Sequence, residues 1–100
     1  MEILIRKSSD SVIAVMNGCF DTQAAEMYEP TVKELESLAS KPIILDCRRL
    51  EYIASSGLRV LLRLRKACAA QGQRVTLQGV NPNIMEVLKV THFDSMFIFE

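Results

Sequence analysis

Two adjacent hydroxyls, Ser55 and Ser56, followed by Gly57, stand at the head of a stretch (residues 58–68) whose apolar side chains recur every three or four positions. Serines at a helix start can do one of two things. As a cap, the hydroxyl accepts a hydrogen bond from an unpaired first-turn N–H and stabilises the helix by about 1 kcal/mol; for the isolated tripeptide this is the reading the residue types favour. As an acceptor, it takes a phosphoryl group of about −1.5 to −2 charge, which the positive end of the helix dipole and nearby arginines stabilise. Position lends weight to the second. The hydroxyls follow the apolar run Ile43-Ile44-Leu45-Asp46-Cys47, and six basic residues (Arg48, Arg49, Arg59, Arg63, Arg65, Lys66) outnumber two acidic ones (Asp46, Glu51) around them. Arg59, Arg63 and Lys66 fall on the helix face away from the apolar stripe, so that side is positive and wet: a solvated face, or a surface for an acidic partner.

Other chemistry finds little support. His92 is the sole histidine and is far in sequence from Ser55 and Cys47, so a small hydrolase built on either nucleophile would depend on folding alone to bring the pair together. Asp46, at the expected end of a strand, reads as a carboxylate capping the next loop rather than a catalytic group. No phosphate-binding glycine loop, dinucleotide fingerprint, HExxH or close set of carboxylates is present, so neither a metal nor a cofactor is expected. Cys19, Cys47 and Cys68 are odd in number, widely spaced and outside any CxxC, and read as reduced core fillers.

The elements that must position the serines follow from patterning. Ile3-Leu4-Ile5 and Val12-Ile13-Ala14-Val15-Met16 flank the turn-forming Ser8-Ser9-Asp10-Ser11, which predicts a hairpin whose second strand ends at Asn17-Gly18. Asp21 or Thr22 caps a helix with a stripe at Ala24, Tyr28, Val32, Leu35 and Ala39; Pro30 either kinks it near Met27 or restarts it. The run at 43–47 predicts a central strand covered on both faces, ending at Asp46. A second helix carries apolar residues at 57, 60, 61, 64 and 68, and Gln71-Gly72-Gln73 stops it. Arg74-Val75-Thr76-Leu77-Gln78 alternates as a half-exposed strand, Asn81-Pro82 starts a third helix, and a last strand lies around Met96-Phe97-Ile98-Phe99. This order predicts an α/β fold with a mostly parallel sheet and right-handed crossovers.

The chain has 100 residues, enough for one domain (1–100), and its 12 basic and 12 acidic residues cancel, leaving no global field to hold nucleic acid or an anionic membrane. The N-terminus lacks the pattern of a secretion signal and no apolar run is long enough to span a bilayer, which predicts a cytoplasmic protein.

The stretch Ile43-Ile44-Leu45-Asp46, followed by Leu50-Glu51-Tyr52-Ile53-Ala54-Ser55-Ser56-Gly57-Leu58-Arg59-Val60-Leu61-Leu62, resembles the signature of STAS domains, specifically of bacterial anti-sigma factor antagonists. Gly18-Cys19-Phe20-Asp21, Gly72-Gln73-Arg74-Val75-Thr76-Leu77, Val87-Leu88 and Phe93-Asp94-Ser95-Met96-Phe97 resemble the family's flanking turns and closing segment. The resemblance implies a STAS (anti-sigma factor antagonist-like) fold, a four- to five-stranded mixed sheet flanked by helices, acting by binding and not as an enzyme. It implies that the unphosphorylated protein binds an anti-sigma factor that is also a serine kinase of the histidine-kinase-like ATPase fold. Phosphorylation would end that complex and a PP2C-type phosphatase would restore it. The acceptor falls on Ser55, with Ser56 as second choice, and Tyr52, Ala54, Ser55, Ser56, Gly57, Leu58, Arg59 and Arg63 form the expected docking face. Many members carry aspartate where this chain has Ala54. That substitution points to the alternative, an unphosphorylated accessory subunit of an ABC-type lipid transporter ATPase using the same face.

Overall fold

The computed structural model describes residues 1–100, and its first feature is the predicted hairpin. The Ser8 N–H donates to the Ser11 carbonyl at 3.0 Å and the Ser11 N–H to Ser8 Oγ at 3.1 Å, closing the turn between β1 (Glu2–Lys7) and β2 (Val12–Phe20). After Phe20, Asp21 caps α1 (Thr22–Met27) by accepting the Ala24 N–H at 2.9 Å. Pro30 restarts the chain rather than kinking it. The helix breaks at Tyr28 and α2 (Glu29–Ser37) carries the proline in its first turn, where no N–H is needed. β3 (Ile43–Ile53), α3 (Ser55–Ala70), β4 (Val75–Gln78), α4 (Pro82–Val90), a 3-10 turn (Asp94–Met96) and β5 (Ile98–Phe99) complete the chain.

The five strands lie in chain order, β1-β2-β3-β4-β5, with β1 antiparallel and the rest parallel. This order decides where the core can be. Each right-handed crossover steps one strand further in the same direction, so every helix falls on the same side of the sheet. The single core joins Val12, Ala14 and Met16, Ile43, Leu45 and Cys47, and Val75 and Leu77 to the helical residues Ala24, Val32, Leu35, Leu58, Leu61, Leu64 and Leu88. The alternate strand residues, Leu4, Ile13, Val15, Ile44 and Thr76, share the opposite face and lie outside that core. The expectation of a central strand covered on both faces is therefore corrected. An apolar run is compatible with two layers, but strand order permits only one.

Two strands run further than expected. β2 continues through Asn17-Gly18 to Phe20, and β3 through Asp46 to Ile53, pairing with each other across register shifts at Val15/Asn17 and Gly18/Cys19. The extra residue of each shift lies on β3, and Gly18, opposite them on β2, has φ +104, a left-handed conformation that glycine adopts without strain. The last strand is shorter than expected because residues 94–96 close into the 3-10 turn. Cys47 and Cys68 are buried as core fillers, whereas Cys19 is exposed: alternation along β2 puts it on the face opposite Met16 and Phe20, away from the core.

Candidate functional site

The extensions of β2 and β3 carry two loops to the same edge of the sheet. The Ala54 N–H donates to the Phe20 carbonyl at 2.9 Å, fixing the β3–α3 junction against the β2–α1 junction. The β4–α4 loop joins them: Asn81 Nδ2 donates to the Leu50 carbonyl at 3.1 Å while its Oδ1 caps α4 by accepting the Ile84 N–H at 2.8 Å. Gly57 makes the junction tight. A β-carbon there would stand 2.7 Å from Ile53 Cγ1 and 2.8 Å from the Phe20 carbonyl oxygen.

Neither serine caps α3. The cap position is Ala54, extended at φ −90, ψ 173, and no side chain accepts from the first turn. Ser55 and Ser56 are the first two helical residues, and the first helical bond runs from the Leu58 N–H to the Ala54 carbonyl at 3.0 Å. The N–H groups of Ser55, Ser56 and Gly57 consequently precede the ladder and concentrate positive partial charge where no acidic residue offsets it. The hydroxyls differ in their surroundings. Ser56 Oγ is half-buried and hydrogen-bonded to Thr22 Oγ1 at 3.1 Å, whereas Ser55 is exposed with no intrachain partner for its hydroxyl.

The remaining predicted residues separate into surface and support. Tyr52, 54 % exposed, lies beside Cys19 on β2, and Arg59 is exposed one helical turn beyond Ser55. Ala54 is half-buried, and Gly57 and Leu58 are buried beneath the surface they were expected to line. Arg63 is engaged within the chain. Its Nη1 donates to Glu29 Oε2 at 2.8 Å, and its Nη2 donates to Glu29 Oε1 at 2.9 Å and Glu36 Oε1 at 2.6 Å. These bonds hold the guanidinium above its ordinary pKa and the Glu29 carboxyl below its own. The open positive face of α3 is thus narrower than its sequence suggests, with Arg59, Arg65 and Lys66 exposed.

Thr22, expected only as a possible helix cap, and Glu29, not singled out at all, take part in this arrangement. Thr22 had a signal, since it follows Asp21 in a loop that must end at the same sheet edge. Glu29 had none: it is 34 residues from Arg63, and only the packing of α2 on α3 brings the two together.

The groups considered for catalysis are dispersed. Arg65 Nε, ten residues along α3 from Ser55, donates to the Met96 carbonyl at 3.2 Å. The region after α4, where His92 lies, is thus about 15 Å of helix from the serines, at the other end of the sheet. Burial pushes the Cys47 thiol up to about 12, with the Asp46 charge adding to it. Asp46 neither caps a loop nor ends a strand. Its Oδ1 accepts the Arg48 Nε at 2.9 Å, its Oδ2 accepts Nη2 at 2.6 Å, and these bonds hold the carboxyl below its ordinary range. No group of three His, Cys, Asp or Glu side chains is placed to hold a metal ion, and no helix is long and apolar enough to cross a membrane.

A one-sided sheet in chain order, with a serine-headed helix at the end of its central strand, defines a class. The STAS domain family model matches residues 2–100, and the chain belongs to that family. BtrV of Bordetella bronchiseptica, named as an anti-sigma factor antagonist, is 29% identical over 97 residues, covering 97% of this chain and 84% of its own. A Thermotoga maritima structure described in the same terms superposes with TM-score 0.85 at 23% identity, over 97% of this chain and 84% of the other. The anti-sigma factor antagonist SpoIIAA, unphosphorylated, gives TM-score 0.76 at 20% identity over 99% and 87% of the two chains. The phosphorylated form of Bacillus SpoIIAA gives 0.75 at 18% over 99% and 91%.

Proposed function

We propose that this protein is a cytoplasmic anti-sigma factor antagonist that acts by binding and is switched by phosphorylation of Ser55. Its unphosphorylated form docks, through Tyr52, Ser55, Arg59 and the loops beside them, on an anti-sigma factor that is also a serine kinase of the histidine-kinase-like ATPase fold. Docking releases sigma and phosphorylation reverses it. A PP2C-type phosphatase regenerates the binding form.

The observation that carries this reading is the Ser55 hydroxyl, exposed and without a hydrogen bond, in the first turn of a 16-residue helix whose leading N–H groups are unpaired. Ser56 is the poorer acceptor because its hydroxyl is held by Thr22. A neutral hydroxyl is covered by a partner at small desolvation cost. A dianion in its place is stabilised in the free protein by the helix start and must be stripped of water when an apolar or acidic surface closes over it. A difference of about 3 kcal/mol between the two states lowers affinity about a hundredfold, sufficient for a switch. The dispersal of His92, Cys47 and Ser55 supports binding over turnover, and the existence of SpoIIAA in both phosphorylation states supports a phosphorylation cycle on this fold.

Incubation with ATP and the cognate kinase is expected to place one phosphate on the wild type and none on Ser55→Ala, while Ser55→Asp abolishes the kinase complex that Ser55→Ala retains. Phosphate acceptance unchanged by Ser55→Ala, or kinase binding unchanged by Ser55→Asp, overturns the proposal. Co-purification with a transporter ATPase in place of a kinase selects the accessory-subunit role instead.

A further inference from the structure

β1 has one neighbour, β2, so the other edge of this six-residue strand carries unpaired backbone groups. Edge strands are commonly blunted by proline, a bulge, a covering element or charged side chains. β1 holds no proline and its register with β2 is unbroken from Glu2↔Asn17 to Lys7↔Val12, but it does carry charge, at Glu2, Arg6 and Lys7. Its start is fastened as well, because the Tyr28 hydroxyl donates to the Met1 carbonyl at 2.9 Å.

The residues along this edge read as a mirror image about Leu4: Glu2, Ile3, Leu4, Ile5, Arg6. Leu4 is 48 % exposed on the helix-free face of the sheet, while Ile3 is buried and Ile5 half-buried on the core face. Glu2 and Arg6 are exposed, flank Leu4 on its own face, and make no ion pair within the chain, whereas Lys7 is already committed to Glu34 at 3.4 Å. We propose that β1 pairs antiparallel with β1 of a second copy of this chain, about a two-fold axis at Leu4, joining two sheets edge to edge.

Residues directly opposite in an antiparallel pair share a face of the sheet. Pairing about Leu4 sets Leu4 against its mate, Ile3 against Ile5, and Glu2 against Arg6 at both ends. A slip of one residue would place the second copy's helices on the opposite face. A slip of two would set Leu4 against Glu2 or against Arg6 and break both ion pairs. Charge, hydropathy and parity therefore select one register. This surface is the sheet's lateral edge and does not include Ser55, so the inference does not rest on the switch.

Sedimentation across a concentration series tests it. The wild type is expected to dimerise. Glu2→Arg alone and Arg6→Glu alone each place like charges opposite one another and weaken the dimer about tenfold or more, and the double variant restores it. In a Cys19→Ser background, Leu4→Cys is expected to form an intermolecular disulfide that Arg6→Cys does not, with circular dichroism confirming that each variant is folded. A wild type that remains monomeric up to millimolar concentration overturns the inference. So does a dimer indifferent to both charge reversals, or one in which Arg6→Cys cross-links as readily as Leu4→Cys.

Discussion

Gly57 and Phe20 meet backbone to backbone: a β-carbon on Gly57 would stand 2.8 Å from the Phe20 carbonyl oxygen, the atom that also accepts the Ala54 N–H. In an exposed helix, alanine in place of glycine stabilises by about 1 kcal/mol. Here the contact reverses the sign. Gly57→Ala is expected to push α3 away from β2, to destabilise the fold by about 1–3 kcal/mol in denaturant titration, and to weaken partner docking with Ser55 itself unchanged. A variant as stable as the wild type would show that the junction is loose.

Arg63 ties α2 to α3 through both arms of its guanidinium. All three side chains are partly exposed, so solvent screening limits each pair. A double-mutant cycle with Arg63→Met and Glu29→Gln is expected to return a small favourable coupling that shrinks in high salt. The pH dependence follows from Glu29 and Asp46, both of whose native carboxyls ionise below their ordinary values of 4.5 and 3.8. Their stabilisation is complete above those values and is lost as pH falls through the lower native ones. Arg63→Met should flatten the acid limb of the stability curve, and an unchanged limb would assign it elsewhere.

His92 has φ +63 and sits just past the end of α4. Its N–H donates to the Lys89 carbonyl at 3.1 Å and the Phe93 N–H to Leu88 at 2.8 Å, the paired bonds of a helix terminus that favours glycine. His92→Gly is expected to stabilise by about 0.5–1 kcal/mol, read as a rise of several degrees in the thermal midpoint.

Thiol accessibility separates the cysteines. Cys19 is exposed, while burial raises both Cys47 and Cys68 above their ordinary pKa. A thiol reagent at neutral pH is expected to modify Cys19 at once and the other two only on unfolding. Cys19→Ser should remove the fast phase completely.

What could be read in advance was local. The stripe of α3 is long and periodic, and the residues it marks, Gly57, Val60, Leu61, Leu64 and Cys68, are all buried, with Leu58 beside them as the one the stripe did not include. The extensions of β2 and β3 were not legible: Arg48, Arg49, Glu51 and Tyr52 break alternation, and the pairing that carries them depends on bulges. Serine at a helix start suggested a cap, but β3 continues to Ile53 and places Ala54 at that position, releasing the Ser55 hydroxyl. Nor could residues 43–47 say how many layers cover them, since that depends on the order in which strands assemble. Arg63 could be put on the polar face of its helix, but the carboxylates opposite it come from another element.

Strands that line up in the order of synthesis have a bearing on biogenesis. As the ribosome delivers each βα unit, the neighbour it must join is already in place, so assembly can proceed vectorially and no strand waits for a distant partner to emerge. Once α3 is out, both loops that frame Ser55 exist, and the remaining C-terminal units close the far border of a sheet already begun.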